Sequence, residues 1–141
     1  MKWISQLIFI FVIMSSCKSQ KINDFGTSSI TYTAESRGVY LSVWMENQKV
    51  FIIKGRNEKP YKVMVTAQEM KELERVFSEL NLEKIPSLKA PTAKRLFDGA
   101  AIANLVISAG GKAYISKSFD HGFPPKDLEK IITLLVSYSE K

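Results

Sequence analysis

The chain has 141 residues, 45% of them hydrophobic, and a formal net charge of +6. That length is one domain's worth, and that hydrophobic share supports a packed core, which excludes a disordered or low-complexity chain. The excess positive charge is dispersed among acids, which suits an anionic membrane surface or envelope polymer and gives little ground for a nucleic-acid partner. The one cysteine, Cys17, excludes an internal disulfide.

Lys2 precedes a nearly unbroken apolar run over residues 3–14, followed by Ser15, Ser16 and Cys17. The run is shorter than the about 20 residues of a membrane-spanning helix and suits the hydrophobic region of an export signal. This stretch resembles the bacterial lipoprotein signal, in which small residues precede a modified cysteine. Met14 stands where leucine is usual in that family, which matches the looser box of Bacteroidota-type lipoproteins. In length and strand–helix order the chain is also similar to small lipoproteins of that type. The resemblance implies cleavage before Cys17, a diacylglycerol on its thiol and an acyl chain such as palmitate on its new amine. With Lys18 where an aspartate would retain the protein at the inner membrane, and no acidic run beyond, it further implies an outer-membrane anchor facing the periplasm. The expected organisation is a signal over residues 1–16, a lipidated cysteine and flexible tether over 17–28, and a single globular domain over 29–141. The alternative is an ordinary secreted protein cut near Ser15 or Ser16, with Cys17 a free thiol.

Past the tether, alternation predicts a strand over residues 29–34, with Ile30, Tyr32 and Ala34 on one face. A second strand is predicted over 39–45, with Val39, Leu41, Val43 and Met45 facing the core. Asn47 suits a tight turn because asparagine tolerates positive φ. The β-branched and aromatic run over 49–54 predicts a central strand, and a further strand follows over 61–65. Thr66 and Glu69 form a capping box, after which Met70, Leu73, Val76, Phe77 and Leu80 recur at helical spacing. A connector over 81–95 carries Pro86 and Pro91, with Leu82, Ile85 and Leu88 available to pin it. Strands over 101–108 and 112–119 flank Ala109-Gly110-Gly111, a hairpin signal. A last helix presents Leu128, Ile131, Ile132, Leu135 and Tyr138. The expected fold is α+β, an antiparallel sheet of about five to six strands with two helices packed on one face.

Two constellations stand out. Asp98, Asp120 and His121 lie at the predicted open end of the second hairpin, where two carboxylates and an imidazole could transfer protons or bind a metal. The same residues are also ordinary turn formers, since an aspartate oxygen can accept a nearby amide. Tyr32, Tyr40, Trp44 and Tyr114 could share a sheet face left open by the helices and bind an envelope protein, a peptide or a glycan. No nucleophile, phosphate-loop or zinc motif occurs, so no catalytic residue, metal or cofactor is assigned. The favoured function is a membrane-anchored, periplasm-facing lipoprotein with a non-enzymatic binding domain. The alternative is a small envelope hydrolase or metal-dependent enzyme using Asp98, Asp120 and His121.

Overall fold

A computed structural model describes residues 24–141. The expected export signal, Cys17 and the first part of the expected tether lie outside the described residues. The described chain begins with a 3-10 turn, Phe25–Thr27, whose Phe25 is buried and meets the Phe77 ring edge-on at 5.4 Å between centroids. The fold therefore starts a few residues ahead of the first strand, because Phe25 has an apolar site to fill.

Seven strands form one antiparallel sheet: β1 (Ser29–Glu35), β2 (Tyr40–Glu46), β3 (Lys49–Ile53), β4 (Tyr61–Val63), β5 (Ile102–Ala109), β6 (Lys112–Ile115) and β7 (Phe119–Asp120). Their order is β4-β3-β2-β1-β5-β6, with β7 also paired to β5. The first four strands run as a meander. Asn47 and Gln48 both take positive φ in the turn between β2 and β3, as Gly110 and Gly111 do between β5 and β6. The chain returns to the free side of β1 only after helix α1 (Ala67–Glu79) and the connector. Helix α2 (Glu129–Tyr138) ends the fold. Among the described residues no helix is long and apolar enough to cross a membrane.

Alternate strand residues feed the core. Ile30, Tyr32, Ala34, Val43, Met45, Val50, Ile52, Ala103, Leu105 and Ile107 are buried in one cluster with Leu73, Val76 and Phe77 of α1 and with Ile131, Ile132, Leu135 and Tyr138 of α2. Leu82 and Ile85 pin the connector, which folds as a 3-10 turn over Leu82–Ser87. Thr66 caps α1 reciprocally: its hydroxyl accepts the Glu69 amide at 3.2 Å, and the Glu69 carboxylate accepts the Thr66 amide at 2.8 Å. Thr66→Ala is expected to lower stability by about 1 kcal/mol, read as an earlier urea midpoint with an unchanged slope. An unchanged midpoint would show that the cap contributes nothing.

Three expectations change in the structure. Val39 precedes β2 and is 45% exposed, because pairing with β1 begins at Tyr40 opposite Glu35. The fourth strand stops at Val63, and Met64 beyond it points into solvent. The strand expected over 112–119 is two strands. Ser116 ends the first by using its hydroxyl to accept the Leu105 amide at 2.9 Å, and the chain rejoins β5 at Phe119 opposite Ala103.

Candidate functional site

Two regions carry the residues singled out from sequence. The first is the corner where β7 leaves the sheet. Asp120 ends β7 opposite Ile102 and is fully buried. Its Oδ2 accepts the Thr92 hydroxyl at 2.5 Å and the Lys94 amide at 2.6 Å. Its Oδ1 accepts the Arg95 amide at 2.9 Å and the Arg95 guanidinium at 3.0 Å. Burial alone would raise the pKa of this carboxyl. The donors from Thr92, Arg95 and Lys94 outweigh burial and hold it well below the usual carboxylate range. Such a group stays ionised and keeps its lone pairs committed, so it is poorly suited to pass a proton.

His121, the next residue, is tied to the sheet by its amide, which donates to the Ala101 carbonyl at 2.9 Å. Its Nδ1 lies 2.6 Å from the Tyr32 hydroxyl. Burial pushes the Tyr32 phenol up and the imidazole down, so both are neutral near pH 7. Either neutral tautomer of the ring can make this hydrogen bond, with the phenol or Nδ1 as the donor. The pair borders a cavity of about 320 Å³ walled on its other side by Ile132, Thr133 and Val136 of α2. Neither Asp98 nor Asp120 lines it.

Asp98 takes a third position. It is exposed and ends the 3-10 turn Lys94–Phe97 in the left-handed conformation, φ 55°. No hydrogen bond joins its side chain to Asp120 or His121 among the described residues. Asp120 and His121 are thus neighbours in sequence with separate partners, Asp120 toward the connector and His121 toward Tyr32. Among the described residues no three His, Cys, Asp or Glu side chains are grouped so as to hold a metal ion.

The second region is the sheet face opposite the buried residues. The register separates the four aromatic candidates. Tyr32 pairs with Val43 and is completely buried, stacked beside Phe119 at 6.3 Å. Tyr114 pairs with Ile107, whose side chain is buried, and its hydroxyl donates to Glu83 at 3.3 Å. These two stand on the core side of the sheet. Tyr40 and Trp44 stand on the outer side, so the expected four-membered aromatic face holds only two of its members.

Phe51, Val106 and Ile115 share that outer side with them. One transverse row crosses all six strands of the main order: Lys62, Phe51, Trp44, Thr31, Val106 and Ile115, each opposite the next. At about 4.8 Å per strand the row is about 24 Å wide. Phe51 and Trp44 stack at 5.5 Å with their planes 22° apart. Thr31, Trp44, Phe51 and Val106 are half-buried, while Ile115 is 55% exposed. The flanking positions on this face are mixed: Glu46 lies opposite Lys49 on one side, and on the other Ser42 lies between Thr33 and the apolar Ile53. Alternation within each strand already placed Phe51 and Ile115 on one face or the other. Only the pairing of β1 with both β2 and β5 shows that they join Trp44.

No family model, curated protein or solved structure matches the chain.

Proposed function

We propose that this protein is a lipid-anchored, periplasm-facing envelope lipoprotein whose domain works by binding and not by catalysis, with the outer sheet face as its contact surface. The observation that carries the binding reading is the largely apolar row Phe51–Trp44–Thr31–Val106–Ile115, with Glu46, Lys49, Ser42 and Thr33 among its neighbours on the same face. An apolar centre inside a polar rim is the usual anatomy of a protein interface. The stacking of Trp44 on Phe51 favours a protein surface over a sugar ring, because each aromatic face used in the stack is lost to a glycan. The anchor reading rests on the residues before and at Cys17, and on Lys18 after it.

The anchor has a direct test. Cells making the protein are fed an alkyne fatty acid, and the wild type is expected to take up label and to mature by loss of its first 16 residues. Cys17→Ser is expected to lose the label and accumulate as precursor. A Cys17→Ser protein that still labels and still matures at this site would refute the anchor.

A further inference from the structure

We infer that the outer sheet face docks on a second copy of this chain, sheet on sheet, with the strands of both copies running in the same direction. The inference rests on the lipid anchor proposed above and names the partner of that same face.

The row is divided into unlike halves. Phe51 and Trp44 on β3 and β2 are large and flat, whereas Thr31, Val106 and Ile115 on β1, β5 and β6 are β-branched. A two-fold axis parallel to the strands, lying between the sheets and midway between β1 and β2, reverses the row of the second copy. Phe51 then meets Val106 of the second copy, and Trp44 meets Thr31 of the second copy. Each large ring faces a small branched side chain, and each copy supplies both members. An axis along the row would instead set Trp44 on Trp44 and Val106 on Val106, crowding one half and leaving the other open. The first arrangement is the self-complementary one that a two-fold dimer requires.

The chain ahead of the domain selects the same arrangement. Seven residues lead from Cys17 to Asp24, a reach of at most about 25 Å. They enter the sheet at the start of β1, the end that also carries the turn between β2 and β3 and the turn between β5 and β6. With parallel strands, both tethers leave the pair at one end and both lipids reach one bilayer. With antiparallel strands, one tether would start at the far end of a strand about 23 Å long and spend nearly its whole reach returning.

The footprint, about 24 Å by about 23 Å, is smaller than the roughly 800 Å² per partner of a standard stable complex. Confinement to a membrane raises the effective concentration of the second copy and favours a contact of this size.

The test uses the full, mature protein in its own membrane and a short thiol-to-thiol crosslinker. Lipidated Cys17 has no free thiol, so the wild type is expected to stay at monomer mass. Thr31→Cys, close to the axis, is expected to shift to twice that mass. Ile115→Cys alone, at the outer end of the row, is expected to stay monomeric, yet to crosslink when co-expressed with Lys62→Cys. Adding Phe51→Glu to Thr31→Cys is expected to abolish the shift without altering the circular dichroism. If Thr31→Cys stays monomeric while wild-type Cys17 is blocked, the dimer is overturned and the anchor stands. Equal crosslinking through Ile115→Cys alone would also overturn the arrangement. A wild-type protein that itself crosslinks through Cys17 would refute the anchor, and the inference with it.

Discussion

Asp120→Ala is expected to destabilise the domain more than any other single polar substitution in it. The carboxylate is fully buried, and one hydroxyl, two amides and a guanidinium converge on it from Thr92, Lys94 and Arg95. Removing the acceptor leaves those donors without a partner and the Arg95 charge partly buried, which is the costly way to break such a network. The urea midpoint should fall, and the segment around residues 92–97 should become the first site of proteolysis. Asp98→Asn, which preserves a left-handed residue on the exposed side of the same segment, should change stability by less than about 0.5 kcal/mol. Equal effects from the two substitutions would show that Asp120 does not hold the connector.

The same carboxylate predicts a pH dependence of known sign. Its pKa in the folded chain lies below that of the unfolded chain, so on acidification the unfolded chain takes up its proton first. Its stabilising contribution is therefore complete above about pH 5, clear of the ordinary aspartate value near 3.9, and is lost as pH falls toward the folded value. The gap in stability between the wild type and Asp120→Asn should be widest near neutrality and close toward pH 2. A gap that grows in acid would contradict the assignment.

Phe77→Ala is expected to cost about 3–5 kcal/mol, a large part of the about 5–15 kcal/mol available to a domain of this kind. The ring has no exposed surface and packs against the Phe25 ring. The loss should come with earlier chymotryptic cleavage after Phe25, because the cavity sits under the point where the chain enters the fold. A cost below about 1 kcal/mol would mean that the neighbours collapse into the gap.

What could be read in the sequence is local in origin. The capping box at Thr66 and Glu69, the stripe of α1 and the Gly110-Gly111 hairpin each depend on residues within a few positions of one another, and each forms. What could not be read depends on pairing between distant segments. Tyr32 alternates correctly with Ile30 and Ala34, but its side of the sheet relative to Trp44 follows only from the pair Thr31–Trp44. Val106 and Ile115 join the outer row because β5 lies against β1, after a long excursion that leaves no local mark. Asp120 does accept backbone amides, as a turn aspartate does. Its donors lie 25 and 26 residues back, in a connector whose own spacing suggests nothing about them.

The entry of the chain through β1 has a mechanical consequence. β1 is an interior strand, bonded to β2 on one side and to β5 on the other along its length. Tension applied ahead of Asp24 along the strand axis loads both ladders in shear, so their hydrogen bonds resist together instead of unzipping one after another. The edge strands β4 and β6 lie outside that line of force. A domain pulled from this end can bear load through its central strands and keep its outer face intact.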